Sequence, residues 1–294
     1  MLTTALKQTI SEYIPGFRSN PESDIKVTPV SGGSINNSYT LQAEGQQFFI
    51  KTNHTSVSGD IFKREWQGIE LLRTTDTIPL PLVYGTGVAD NKAFLLMEWI
   101  ASGRRTGNFF ELFGRALAML HKNSAASFGL SNDNYIGTLV QSNCKHRSGA
   151  DFFVHERLEP MVRMATDTGI FNPSDSKMFQ DLYRIIPEII PEEPPSLLHG
   201  DLWSGNFMTG PDGTARLIDP AVYYGHREAD LAMTRLFGGF DSSFYAAYND
   251  AFPLEYEWEN RVPLFNLYPL LVHLNLFGKG YLQPVRNALQ MVLH

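Results

Sequence analysis

The segment from His199 to Asn206 constrains the fold of this chain more than any other part of its sequence. Asp201 follows the histidine by two residues, and Asn206 follows that aspartate by five. This H-x-D-x-x-x-x-N spacing is typical of the catalytic loop of kinases, in which the aspartate accepts a substrate hydroxyl proton and the asparagine binds a metal ion. The alternative is a polar loop with an accidental spacing, because short motifs recur by chance.

A second aspartate, Asp219, follows Asn206 by thirteen residues and ends a short apolar strand. Magnesium prefers oxygen ligands, and proteins commonly hold it with one or two carboxylates together with the phosphates of a substrate. The sequence therefore predicts that Asn206 and Asp219 bind Mg²⁺ beside the hydroxyl that Asp201 orients.

The composition excludes several classes of partner. The chain has 294 residues and a formal net charge of −7, and no run of Lys or Arg exceeds two residues, so we expect no nucleic-acid binding. No apolar segment approaches the roughly eighteen residues of a membrane span, and the N-terminus lacks the pattern of a signal peptide. A single cysteine, Cys144, precludes an internal disulfide and fits a reducing compartment. We therefore expect a cytoplasmic protein with no membrane partner.

The periodic patterns predict an α+β fold with two lobes. Residues 1–100 are β-rich, with short runs separated by turn residues and with one helix from Asp60 to Arg73. Residues 101–294 are mainly helical, and a link near residues 98–107 joins the two parts. A turn signal at Gly210–Gly213 predicts a small hairpin directly after the catalytic loop. Helices are predicted at 109–121, 151–169, 175–189, 227–237, 241–250 and 258–277, with one more at the end of the chain.

The glycine-rich segment Gly32, Gly33, Ser34 lies between two β-type runs. Glycines let the backbone approach phosphate oxygens, and successive N–H groups can cradle them. These residues are therefore candidates for a loop that covers the phosphates of ATP. The alternative is an ordinary Gly-Gly hairpin turn.

Lys51 ends an apolar strand, and Glu65 lies at the edge of the apolar stripe of the predicted helix. A carboxylate at that position is unfavourable unless it is paired. Lys63 and Arg64 are adjacent on the helix and do not face it. We therefore predict an ion pair between Lys51 and Glu65, as in the strand-lysine and helix-glutamate pair of kinases. A solvent-facing lysine is the alternative.

The apolar run that begins at Phe94 leads directly into the link between the lobes. In a kinase-like fold, backbone groups at such a link bind the adenine ring. Glu98, Trp99 and Ile100 are the candidates for this contact. A buried strand without a ligand is the alternative for each of them.

The sequence resembles the fructosamine/ketosamine kinase family over nearly the whole chain, from about residue 25 to residue 280. The most specific segments are Leu198–Asn206, Ile218–Glu228 and Leu236–Phe240. The resemblance is also carried by Gly32–Asn36, Lys51, Asp133–Gly137 and the aromatic segment Tyr268–Phe277.

This resemblance implies a bilobal protein-kinase-like fold of the aminoglycoside phosphotransferase type. It also implies ATP and Mg²⁺ as cofactors and phosphorylation of the 3-hydroxyl of a sugar attached to an amine, such as fructosamine or ribulosamine, free or bound to protein. The phosphorylated adduct decomposes, so the implied activity is deglycation. The alternatives are a related kinase with another acceptor, such as choline or an aminoglycoside, and a catalytically silent kinase-like binding protein.

Several side chains are candidates for the acceptor site. The ring of Trp203, within the catalytic loop, would pack against the apolar face of a sugar, or would instead anchor the loop as a buried residue. His226 and His273 are pocket candidates, although a structural histidine is the alternative for each, and Asn134 and Tyr135 are further candidates.

Two other residues carry expectations of their own. Asp230 is expected to accept backbone N–H groups of the catalytic loop, which is a structural function. Some members of the family have a cysteine in the glycine-rich loop that forms a disulfide between subunits, whereas this chain has Ser34 there. Dimerisation by that route is not expected, and a monomer is favoured.

Overall fold

The computed structural model describes residues 2–30 and 36–293 of the chain. Its N-terminal part is an antiparallel five-stranded sheet with the strand order β1-β2-β3-β5-β4. The strands are β1 (Lys26–Pro29), β2 (Asn37–Ala43), β3 (Gln46–His54), β4 (Val83–Ala89) and β5 (Lys92–Glu98). The helices of this part are α1 (Thr4–Ser11), α2 (Pro21–Asp24), α3 (Thr55–Ser58) and α4 (Ile61–Arg73).

The two faces of the sheet pack against different layers, because side chains of a strand alternate between the faces. Phe48 and Ile50 of β3 face α1 in an outer core. Phe49, between them, faces the layer that contains α4. Lys51 has the same parity as Phe49, so the alternation directs its side chain towards α4 and the rest of the molecule.

The C-terminal part consists mainly of helices. The helices are α5 (Phe109–His121), α6 (Gly149–Phe152), α7 (Glu159–Asp167), α8 (Pro173–Ile189), α9 (Glu228–Leu236), α10 (Ser242–Ala251), α11 (Val262–Phe277) and α12 (Leu282–Leu293). A π-helical turn, Phe153–Leu158, joins α6 to α7, and short 3₁₀ turns precede α11 and α12. The sequence periodicity predicted one regular helix over residues 151–169 and did not indicate the wide turn within it.

Three two-stranded pairs lie among these helices. The strands are β6 (Asn134–Ile136) with β7 (Leu139–Gln141), β8 (Ser196–Leu198) with β11 (Tyr223–Gly225), and β9 (Phe207–Thr209) with β10 (Ala215–Leu217). The β9–β10 pair confirms the hairpin predicted after the catalytic loop. None of the helices in the described part of the chain is long and apolar enough to cross a membrane.

One hydrophobic core extends across both parts of the molecule. It combines side chains of α4 and β5, such as Ile69 and Leu95, with Phe113 of α5 and Val222. All four are nearly inaccessible to solvent, so burial in this shared core fixes the sheet on the helices. A second core lies among α7, α8, α11 and α12.

The link between the two parts is fastened to the β9–β10 hairpin. The backbone N–H of Gly103 donates to the carbonyl of Thr209 at 3.0 Å. A Cβ atom at Gly103 would lie 2.0 Å from the carbonyl oxygen of Gly210. Glycine is therefore required for this close approach of two backbones.

Candidate active site

Lys51 lies between two carboxylates at the junction of the sheet and the helical part. Its Nζ is 2.7 Å from Oε1 of Glu65 on α4 and 2.5 Å from Oδ1 of Asp219. The first contact confirms the predicted pair of a strand lysine and a helix glutamate. The contact with Asp219 joins residues 168 positions apart in the chain, and it brings together the two segments that the sequence assigned to phosphate and metal binding.

Two members of this cluster, Lys51 and Glu65, are shielded from solvent. Lys51 is 5% exposed. Burial favours the neutral amine, but Asp219 and Glu65 more than offset it and raise the pKa of Lys51 above its ordinary value. Burial raises the pKa of Glu65, which Lys51 opposes. Lys51 therefore remains a cation, held between the two carboxylates.

Asp201 and Asn206 are joined within the catalytic loop. The side-chain amide of Asn206 donates to the carbonyl oxygen of Asp201 at 2.8 Å and to its carboxylate at 2.9 Å. These bonds use Nδ2, so the Oδ1 of Asn206 is available as a ligand for a cation. Enclosure of the Asp201 carboxyl raises its pKa to about 7, with Asp219 and Asp230 adding to the effect and Asn206 opposing it.

Asp230 holds the backbone of the catalytic loop in place. Its carboxylate accepts the backbone N–H groups of His199 at 2.7 Å and Gly200 at 2.9 Å, which confirms the structural function predicted for it. His121 also contacts this carboxylate, with Nε2 at 3.2 Å. Although burial of Asp230 favours the neutral acid, these contacts hold its pKa below the usual value.

The catalytic loop is also attached to the segment that carries Asp219. The His199 ring nitrogen Nε2 lies 2.9 Å from the carbonyl oxygen of Ile218, and the N–H of Ala221 donates to the carbonyl of His199 at 2.9 Å. Gly200 has a φ of +83°, and a Cβ there would lie 2.0 Å from the Ala221 carbonyl oxygen. The two loops therefore approach closely only because residue 200 is glycine.

Asp219 has a left-handed backbone with a φ of +56°. An L-residue other than glycine rarely adopts this conformation, and such strain is often found at functional sites. The side chain is 43% exposed, so one side of the carboxylate contacts Lys51 while the rest faces open space.

A cavity of about 940 Å³ lies between the sheet and the helical part. Lys51, Asp201, Asn206 and Asp219 all line it, as does Glu65. This shared cavity is large enough for a nucleotide and a second small molecule, because ligand pockets typically measure about 300–1,000 Å³.

The three residues predicted at the adenine also line this cavity. Glu98 exchanges two hydrogen bonds with Leu82: its N–H donates to the Leu82 carbonyl at 2.8 Å, and its carboxylate accepts the Leu82 N–H at 3.1 Å. Trp99 and Ile100 follow the end of β5. The predicted phosphate-covering residues Gly32, Gly33 and Ser34 lie outside the described residues.

Four of the five acceptor candidates line the same cavity: Trp203, Asn134, Tyr135 and His273. Trp203 is 37% exposed, which excludes the alternative of a buried anchor. Asn134 is buried, and its amide donates to the Val222 carbonyl at 2.8 Å. The hydroxyl of Tyr135 donates to Asp60 at 2.6 Å. The hydrogen bonds of Asn134 and Tyr135 are therefore directed towards protein groups.

His226 is not among the residues that line the cavity, so the prediction of a pocket function for it requires correction. Its ring is buried and stacks on Phe265 with 5.1 Å between the ring centroids. Glu193 lies 3.7 Å from Nε2. The sequence could not show this, because both neighbours come from distant segments of the chain.

An aromatic group at one side of the cavity is missing from the sequence-based candidates. It consists of Phe237, Phe277 and Tyr281, whose rings surround His273 at centroid distances of 5.3, 5.5 and 4.9 Å. Phe237 also contacts Trp203, with centroids 5.8 Å apart. The only sequence signal was the aromatic richness of these segments, which does not distinguish cavity-facing rings from core rings.

The oxygen donors at the site fit Mg²⁺. Asn206 offers an amide oxygen and Asp219 a carboxylate, which are hard ligands of the kind magnesium prefers. Among the described residues, no three His, Cys, Asp or Glu side chains form a metal-binding group.

Comparisons with known proteins agree with this geometry. A family model described as fructosamine kinase matches residues 6–294. A probable ketoamine kinase of Enterococcus faecium is 40% identical over 267 residues, which cover 90% of this chain and 94% of the relative. A chloroplastic protein-ribulosamine 3-kinase of Arabidopsis thaliana is 37% identical over 264 residues, covering 87% and 79%.

Solved structures show the same fold. The crystal structure of a putative fructosamine-3-kinase from Thermobifida fusca superposes with a TM-score of 0.87 at 32% identity and covers 99% of both chains. Aminoglycoside phosphotransferases share the fold alone, with TM-scores of 0.57 to 0.65 at 13% to 16% identity. The α+β, bilobal, protein-kinase-like fold predicted from the sequence is thereby confirmed.

Proposed function

The chain belongs to the fructosamine kinase family, and from that premise we propose that its cavity phosphorylates the 3-hydroxyl of a ketosamine with ATP as the phosphoryl donor. The observation that carries this proposal is the assembly of Lys51, Glu65 and Asp219 beside Asp201 and Asn206 in one cavity. Phosphoryl transfer depends mainly on positioning and electrostatic stabilisation, and this group of residues supplies both.

Each residue has a separate part in the reaction. Asp201 orients the acceptor hydroxyl and accepts its proton as the new bond to phosphorus forms. Lys51, held by Glu65, offsets charge on the phosphates. Asn206 and Asp219 would hold Mg²⁺, which would neutralise charge on the phosphates. The hydrogen bond from Asn206 also fixes the carboxylate of Asp201 in its catalytic orientation.

The nucleotide is proposed to occupy the half of the cavity next to the link. Backbone groups of Glu98, Trp99 and Ile100 would bind the adenine ring, since these residues line the cavity where β5 ends. Gly32 to Ser34 are proposed to cover the phosphates. Lys51 then lies between the nucleotide and the acceptor half.

The acceptor is proposed to occupy the aromatic side of the cavity. Trp203 offers an exposed ring face two residues from Asp201, and sugar C–H groups pack well on such a face. In His273, Nδ1 lies 2.7 Å from the Pro269 carbonyl oxygen. Since only a protonated Nδ1 can donate there, Nε2 is left as an acceptor for a sugar hydroxyl. Phe237 and Phe277 complete this side.

The hydroxyl that is phosphorylated, the fate of the product and the form of the acceptor are proposals that the relatives support. The names protein-ribulosamine 3-kinase and fructosamine-3-kinase support transfer to the 3-hydroxyl. Decomposition of the phosphorylated adduct would make the activity a deglycation. The acceptor is either a free or a protein-bound ketosamine. The cytoplasmic location, the monomeric state and the division into residues 1–100 and 101–294 likewise remain predictions.

Phosphorus NMR with Mg-ATP and a panel of acceptors tests the proposal. We expect a new sugar-phosphate resonance with fructosamine or ribulosamine adducts, coupled to the proton on carbon 3, and none with choline or kanamycin. Asp201→Asn is the matched control, because it keeps the shape of the side chain but removes the base. Phosphorylation of choline or kanamycin without any ketosamine product would refute the assignment.

A further inference from the structure

The β6–β7 hairpin is attached to the segment that follows Asp219. The amide of Asn134 donates to the carbonyl of Val222 at 2.8 Å, and the amide of Gln141 donates to the carbonyl of Ala221 at 3.0 Å. Both side chains are buried. The hairpin therefore fixes the backbone two and three residues after the proposed metal ligand.

A second set of buried polar groups holds the hairpin itself. Asn143 and Gln141 each donate to the side-chain oxygen of Asn134 at 2.8 Å. Arg157, fully buried in the π-helical turn, donates to Asn143 at 2.8 Å and to the Ser142 carbonyl at 2.6 Å. Connected buried networks of this kind make a region rigid.

Tyr135, the central residue of β6, points to the other side of the hairpin and contacts α4. Its hydroxyl donates to Oδ1 of Asp60 at 2.6 Å, while Oδ2 of Asp60 accepts Nε of Arg64 at 2.8 Å. Asp60 directly precedes α4, the helix that carries Glu65. The contact thus joins the sheet-bearing part of the molecule to the helical part beside the cavity.

The packing of α4 reinforces this contact. A Cβ atom at Gly68 of α4 would lie 3.1 Å from Cγ2 of Val222. The helix therefore rests on the same segment that the hairpin binds. Glu65 lies on α4, and Asp219 lies just before the segment that the hairpin binds. The relative position of these two carboxylates, which both contact Lys51, therefore depends on how α4 and the hairpin are joined.

We propose that Tyr135 is a positioning residue that acts through Asp60 to hold α4, and with it Glu65, against the segment carrying Asp219. Kinases require the lysine–glutamate pair to be in place before phosphates bind productively. In this protein the β6–β7 hairpin holds α4 in place through the contact between Tyr135 and Asp60. The inference rests on the proposed roles of Lys51, Glu65 and Asp219 but not on the identity of the acceptor.

The test compares Tyr135→Phe, Asp60→Ala and the double variant. Loss of one hydrogen bond to a carboxylate should lower kcat and the affinity for Mg-ADP about five- to tenfold, with the KM for the acceptor unchanged within about twofold. The double variant should lose no more than Asp60→Ala alone, because Tyr135 acts through Asp60. Tyr245→Phe is the matched control: it removes a tyrosine hydrogen bond of 2.9 Å to Thr234, away from α4, and should behave as wild type.

The route through Glu65 has its own test. In a Glu65→Gln background, Tyr135→Phe should cause no further loss of Mg-ADP affinity, measured by calorimetry. A raised acceptor KM with normal kcat would show instead that Tyr135 contacts the substrate, and additive losses would show that it acts independently of Asp60; either result overturns the proposal. Mg-ADP binding needs no acceptor, so these measurements decide the matter even if no ketosamine is phosphorylated.

Discussion

Replacement of His226 by asparagine tests whether His226 is a buried structural residue that lies outside the acceptor site. His226 is buried against Phe265, with Glu193 at 3.7 Å, and its Nδ1 accepts the Glu228 N–H at 3.3 Å. Burial lowers the pKa of His226 to about 4, although Glu193 opposes the shift. The side chain is therefore neutral in the folded protein, whereas its ordinary pKa in the unfolded chain is about 6.5.

These two pKa values give the direction and size of the change in the free energy of unfolding with pH. Between about pH 6.5 and pH 4 the unfolded chain binds a proton at His226 that the folded protein excludes, so the stability contributed by the neutral ring is present above pH 6.5 and is lost as the pH falls. From about pH 7.5 to about pH 5 this single group should lower the free energy of unfolding by about 2 kcal/mol. His226→Asn removes the titration while keeping an acceptor for the Glu228 N–H.

Urea unfolding at about pH 7.5 and pH 5 measures this contribution. Wild type should lose about 2 kcal/mol more than His226→Asn over this interval. His155→Asn, the same substitution at a side chain that is 50% exposed, is the matched control for the loss of a histidine. The acceptor KM of His226→Asn at neutral pH should equal that of wild type. Equal acid destabilisation of wild type and His226→Asn, or a raised acceptor KM, would refute the assignment of His226 as a buried structural residue.

Other substitutions address the chemistry directly. Asp201→Asn should lower kcat by at least about a hundredfold while Mg-ADP still binds, measured by calorimetry, because a positioned base contributes about 10²–10⁴ in rate. In wild type, kcat/KM for Mg-ATP should fall about tenfold per pH unit below the Asp201 pKa of about 7, since the base must be ionised in the free enzyme; a flat profile down to about pH 5.5 would exclude this pKa. Trp203→Ala should raise the acceptor KM about tenfold and leave the KM for ATP unchanged, and a selective effect on ATP would place the ring elsewhere. Gly200→Ala should lower both kcat and the melting temperature, because its Cβ would meet the Ala221 carbonyl oxygen at 2.0 Å, and a melting temperature equal to that of wild type would contradict the close approach.

The sequence predicted those parts of the site that depend on regular periodicity. Lys51 could be placed because strand side chains alternate, and Glu65 because its helix has a clear apolar stripe. In each case a local pattern already determines which way the side chain points.

Other features depend on contacts between segments far apart in the chain. Asn134 meets the Val222 carbonyl across 88 positions, and no local pattern in a three-residue strand indicates that partner. The burial of His226 depends on Phe265 in the same way. The cavity-facing ring of Phe277 could not be distinguished from a core ring, because α11 is apolar around most of its surface. Phe237 directly follows α9, and nothing in its local sequence indicates that its ring faces the cavity.

The fastening of the link at Gly103 has a mechanical consequence for opening and closing. Beyond that glycine the chain is held to the β9–β10 hairpin, which begins directly after Asn206. Any rotation of the sheet relative to the helices must therefore be taken up within residues 99–102, which begin at the edge of the cavity. The segment that would bend is thus only a few residues long and includes the proposed adenine contacts Trp99 and Ile100, so an adenine bound there would stiffen the connection between the sheet and the helices.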